Sequence, residues 1–253
     1  MILVLRLLPF FTGLAVAGLF AWQRVHPSVY PWAVVVAVAL VVGVSLVFAW
    51  RRGSLRDLSE KMTPTIVVVL ALGFGLLLSE GRLANMTVVV LAGTCSFMAL
   101  ELLFLYAFHP ASYPVNGLSR LNIAFVPLAA WYTASTSVGL LTFLHTPRVW
   151  HVVLLTVMGA MLFRTTGHPG ASAAQNRIWM LIGAATGLHV GWVSLTLPLS
   201  MPIHGALAAI VFASVLRVRR YLYDPRPSRR VAWGESVAAC ILLISVLATA
   251  QWL

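Results

Sequence analysis

A carboxylate and an imidazole set inside long apolar stretches are the residues of this chain best suited to chemistry. Glu101 follows Thr94 and Met98 at helical spacing, and His189 precedes Trp192 and Thr196 in the same way, so each set lies on one helix face. An ionised carboxylate in hydrocarbon is costly, so Glu101 has to be paired, neutral or hydrated. Arg6, at a comparable depth in the first apolar stretch, is a ready ion-pair partner; alternatively it snorkels to the interface and Glu101 becomes a proton- or cation-responsive group facing a cavity. His189 lies about 18 Å from Arg177 at the helical rise, near mid-bilayer. There an imidazole either bonds a hydroxyl of another helix or serves as a proton relay or ligand site.

Between these two, the fifth apolar stretch carries Trp131, Tyr132, Thr133, Ser135, Thr136 and Ser137. The expected site is a polar interior enclosed by the fourth, fifth and seventh helices, built from Glu101, His189, Trp131, Tyr132, Ser135, Trp192 and Arg6. On the other face of the seventh stretch Gly183, Gly187 and Gly191 recur every four residues, the spacing that lets a neighbouring helix approach closely.

Metal and nucleophile chemistry find less support. His26, His145, His151 and His204 fall toward one membrane face, but no H-x-x-x-H or H-E-x-x-H spacing joins them and no acidic partner accompanies them. Interfacial and loop histidines are the expectation, with no metal and no cofactor. Cys95 and Cys240 are unpaired small residues within spans, and Gly73-Phe74-Gly75 lies in an apolar helix rather than a phosphate loop. Phosphate-binding loops and nucleophile elbows are absent.

The elements that must position these residues are transmembrane helices. The 253 residues are 60% hydrophobic and 9% charged, more apolar surface than a water-soluble domain can hide. A bilayer core of about 30 Å takes roughly 20 helical residues. Nine stretches approach or meet that length: Ile2 to Trp22, Pro31 to Trp50, Pro64 to Ser79, Met86 to Phe108, Leu121 to Leu144, Val149 to Phe163, Ile178 to Leu199, Pro202 to Leu216 and Val231 to Trp252. The third, sixth and eighth are short, so they extend into flanking residues or stand untilted, and the sixth has a re-entrant alternative. Their continuity excludes barrel strands, which alternate over about 10 residues. The fold expected is an all-α polytopic bundle forming one membrane domain over residues 1–253. Ala15-Val16-Ala17 resembles a cleavage site, but the first stretch is read as a retained helix.

Charge orients the bundle. Thirteen basic residues lie in connections two, four, six and eight, against Arg24, Arg82 and Arg148 in the odd ones. Cationic loops stay in the cytoplasm, which places the N-terminus inside and the C-terminus outside. Trp22, Trp32, Trp50, Trp150, Trp179, Trp233 and Trp252 fall near span ends, where the indole favours the interface. Arg217, Arg219, Arg220, Arg226, Arg229 and Arg230 form the densest basic run, suited to anionic lipid headgroups at about 1 kcal/mol per residue. The formal charge of +11 is spread over short juxtamembrane loops with no nucleic-acid module, so no nucleic-acid partner is expected.

These features lead to an integral protein of a bacterial or archaeal plasma membrane. The expected role is non-enzymatic: an accessory or structural subunit that meets other membrane subunits, or a lipid-binding protein. A small transporter or channel using Glu101 and His189 is the first alternative, and an intramembrane enzyme the second.

Overall fold

Continuous apolar sequence in a solvent without hydrogen-bonding capacity leaves the backbone only one economical solution, the α-helix. The computed structural model describes residues 2–50, 55–79, 81–166, 172–223 and 228–250. Among them nine α-helices follow in order: α1 (Ile2–Val25), α2 (Trp32–Trp50), α3 (Leu55–Leu78), α4 (Arg82–Phe108), α5 (Gly117–Phe143), α6 (Arg148–Thr165), α7 (Ala173–Ser194), α8 (Met201–Tyr223) and α9 (Arg229–Ala248). Single 3₁₀ turns at Pro27–Val29 and Pro110–Ser112 punctuate the first and fourth connections. Eight helices are long and apolar enough to cross a membrane. The protein is an integral membrane protein of the polytopic helical class.

The short spans resolve as extensions. α3 begins nine residues before Pro64, which sits inside the helix, and α8 runs on to Tyr223. A proline within a membrane helix is tolerated where neighbouring groups re-satisfy the freed carbonyl. α6 is one uninterrupted helix of 18 residues, about 27 Å long, so it has no re-entrant break. The end of the last expected span, Trp252, lies outside the described residues.

Helix α7 ends at Ser194, five residues short of the expected Leu199. Pro198 disfavours helical backbone at the residue before it, and the Leu195 N–H turns back to the Trp192 carbonyl at 3.2 Å. Its start is fixed by a capping box, with Ser172 and Gln175 each accepting the other's backbone N–H. α7 is less apolar than the other eight, yet it runs antiparallel along α6 from Gly183 beside Gly159 to Gly191 beside Val152.

The chain forms two compact units, residues 1–125 and 126–253. In the first, α1 and α4 meet at Gly13 and Gly93, where a Cβ on either glycine would lie 2.9 Å from the other's carbonyl oxygen. Around this seam Phe20, Phe48, Leu72, Leu100 and Phe104 are fully buried, and Gln23 Nε2 donates to the Gly73 carbonyl at 3.1 Å. In the second unit the glycine face of α7 closes on α6: Cβ atoms at Gly183 and Gly187 would collide with the carbonyls of Gly159 and Leu155. Lipid supplies no hydrophobic drive between helices, so such close van der Waals seams and interhelical hydrogen bonds hold the bundle.

Candidate functional site

Glu101 in α4 is tied to Arg6 in α1, Nη2 to Oε1 at 3.1 Å, and the Arg6 guanidinium also lies over the Phe104 ring at 5.4 Å. The carboxylate is mostly shielded while half of the arginine side chain is exposed. This is the ion pair that depth alone allowed: the shielded carboxylate finds a half-exposed counter-ion on the neighbouring helix, across the seam that Gly13 and Gly93 bring close. A short way off in the same unit, Asn122 Nδ2 donates to the Lys61 carbonyl at 2.8 Å.

The polar face of α7 points outward. His189 is exposed, with Nδ1 donating to the Ala185 carbonyl at 2.7 Å, and Trp192 is 66% exposed. The early end of α7 explains both positions. His189 stands about 7–8 Å from the end of the helix rather than at its middle, and Trp192 sits within the last turn, where an indole belongs at the interface. On α5, Trp131 is partly exposed and Tyr132 half-buried, and the Ser135 hydroxyl and the Trp131 carbonyl line the place where a side chain on Gly205 would fall. Glu101 belongs to the first unit and His189 to the second, and each is satisfied separately.

The basic run divides. Arg220, Arg229 and Arg230 are exposed, and Arg217 is half-exposed and 3.9 Å from Glu235, which also accepts a hydrogen bond from Tyr221. Arg219 departs from the expected headgroup role: it is buried, donates from Nη1 to the Phe163 carbonyl at 2.8 Å and lies 4.9 Å over the Trp179 ring. It staples α8 to α6 and α7. Arg226 lies outside the described residues.

A further buried polar group, bonded to two other helices, is one that spacing did not single out. His151, in the first turn of α6, is 2% exposed and is held between two hydroxyls. Nδ1 faces Ser137 Oγ of α5 at 2.8 Å, and Nε2 faces Ser194 Oγ of α7. Each serine also has a carbonyl to donate to in its own helix, Ser137 to Ala134 at 3.0 Å and Ser194 to Gly191 at 2.9 Å. His204 of α8 adjoins, with Nε2 2.9 Å from the Ser194 carbonyl and Nδ1 3.1 Å from the Ser200 carbonyl. Ser137, His151, Ser194 and His204 thus join α5, α6, α7 and α8 near the ends that the fifth and seventh connections share. Their common depth was readable from the sequence; their common azimuth was not. His26 and His145, the other histidines expected on this face, are exposed, and no group of three or more metal-binding side chains gathers among the described residues.

No protein-family model, curated protein or solved structure matches this chain.

Proposed function

We propose that the protein is a non-enzymatic subunit of a membrane assembly, and that α9 is the element through which it meets its partner, a transmembrane helix of another membrane protein. The observation that carries this reading is that α9, 20 residues long and apolar enough to span, is buried nowhere along its length. It approaches α8 at its beginning, where Glu235 meets Tyr221 and Arg217. Apart from a half-buried stripe at Ala232, Glu235, Ala239, Leu243 and Val246, its surface gains van der Waals contacts from lipid or from another protein, and helix packing is the tighter of the two.

Supporting the same reading, two charged contacts inside the units hold helices together, Arg6 with Glu101 in the first and Arg219 with the Phe163 carbonyl in the second. The exposed Arg220, Arg229 and Arg230 flank the α8 to α9 connection, and we assign them to anionic headgroups that anchor this elbow. Arginine bias sets the elbow in the cytoplasm, the N-terminus inside and the C-terminus outside.

Photocrosslinking in native membranes tests the proposal. A photoreactive residue at Ile241 or Ile244, both exposed on α9, gives an adduct with one and the same membrane protein from both positions, while the exposed Val90 of α4 captures lipid. Lipid adducts alone from α9, together with a monomer mass in native nanodiscs, overturn it.

A further inference from the structure

The hydrogen bonds around His151 outnumber the protons available to a neutral ring. Four are drawn: ring to Ser137, ring to Ser194, Ser137 to the Ala134 carbonyl and Ser194 to the Gly191 carbonyl. Two hydroxyls and one neutral imidazole carry three protons between them. One bond is therefore unmade at any moment, and which one depends on the ring nitrogen that holds the proton. With Nδ1 protonated, the ring donates to Ser137 and Ser137 to Ala134, while Ser194 turns to Nε2 and releases Gly191. With Nε2 protonated the pattern reverses: Ser137 turns to Nδ1 and it is Ala134, on α5, that is released. Both tautomers make three bonds.

We propose that His151 is a proton-transfer site poised between these two tautomers, with the proton as its ligand and the released carbonyl, on α5 or on α7, as its output. Switching takes one proton on at one nitrogen and one off at the other. Hydronium passes a proton through one serine hydroxyl to the ring nitrogen that this hydroxyl faces and leaves water; the imidazolium, in which all four bonds are made, then passes its other proton through the second serine hydroxyl to water and becomes the opposite tautomer. No charge accumulates over the cycle. Ser194 is only part-buried and Ser137 fully so, which makes the Ser194 side the one nearer the protein surface. The groups that face the ring are uncharged on α5 and α7, and His204 on α8 is the titratable one. Its two nitrogens meet carbonyls alone, so a neutral His204 completes one of its bonds and a charged one completes both. Arg148 and His145, near the same end, are exposed.

Solid-state NMR of ¹⁵N-histidine protein in lipid bilayers reads the tautomer directly, with His151 assigned through its own backbone. The wild type shows both tautomers of His151 in exchange. Ser137→Ala leaves the chain from Nε2 through Ser194 to Gly191 intact and locks the ring with Nε2 protonated. Ser194→Ala preserves the chain through Ser137 to Ala134 and locks it with Nδ1 protonated. Opposite single tautomers from the two alanines support the proposal; the same tautomer in both overturns it. Should either variant fail to fold, the wild-type spectrum decides alone, because a single fixed tautomer there refutes a poised site.

Discussion

The closest approach in the second unit makes the sharpest demand on sequence, and Gly187→Ala tests it. A methyl at this position lands on the Leu155 peptide, 2.6 Å from its carbonyl carbon and 2.9 Å from the Thr156 Cα. Ordinary contact distances are near 3.5–4.0 Å, so α6 and α7 must part by about 1 Å. The obstacle is main chain, which cannot rotate aside, and the upper end of the usual overpacking range, about 3 kcal/mol, applies. Alanine returns about 1 kcal/mol of helix propensity. The net loss is about 2 kcal/mol, roughly a thirtyfold fall in the folding equilibrium. Gly183→Ala strikes the same seam through Phe163 Cβ at 2.6 Å, and helices already pushed apart by one methyl admit the second more cheaply. The double variant therefore loses less than the sum of the two, by about 1 kcal/mol. Gly43→Ala, on an exposed face with nothing within 4 Å, is the control and is neutral or slightly stabilising. Reversible unfolding in mixed micelles, followed by tryptophan fluorescence and circular dichroism, measures all four proteins. Equal stability of the Gly187 and Gly43 variants, or strict additivity at the seam, refutes the packing argument.

Three further predictions rest on the charged groups. Glu101→Gln leaves the protein folded and costs about 1 kcal/mol, between the values for exposed and fully buried pairs, because half of Arg6 is exposed; a double-mutant cycle with Arg6→Met in thermal melts returns a coupling of that size, and zero coupling dismisses the pair. Arg219→Lys loses the planar fork that bonds Phe163 while lying over Trp179, and lowers stability by about 2 kcal/mol in the same unfolding assay, whereas Arg220→Lys changes nothing measurable. Replacing Arg217, Arg220, Arg229 and Arg230 by Gln removes about 1 kcal/mol of anionic-lipid preference per residue, read as loss of copurifying acidic lipid by mass spectrometry; unchanged lipid content rejects the headgroup role.

What the chain disclosed in advance followed from one-dimensional physics. Depth in a bilayer is a function of position along the sequence, so hydropathy and arginine located the helices, and four-residue glycine spacing located the face of α7 that packs. The partner glycine at 159 stands alone in its helix and carried no such signal. Local rules misled where two competed. Pro64 reads as a helix start yet lies inside α3, while Pro198, set within an apolar run, ends α7 early and moves His189 and Trp192 toward the interface. Rotation about the helix axis is the coordinate that a single sequence conceals. Ser137, His151, Ser194 and His204 all lie within about two turns of the ends joined by connections five and seven, a coincidence of depth that the sequence already contained. That they converge depends on the angle at which α5, α6, α7 and α8 present them, and the glycine seam fixes that angle for α6 and α7. The packing and the proton site are therefore one arrangement: any change that parts α6 from α7 at Gly187 also stretches the bridge from His151 to Ser194. The Gly187→Ala protein should accordingly shift His151 toward the tautomer protonated at Nδ1, in which the ring donates to Ser137 rather than to Ser194, even though the substitution lies about two turns from Ser194.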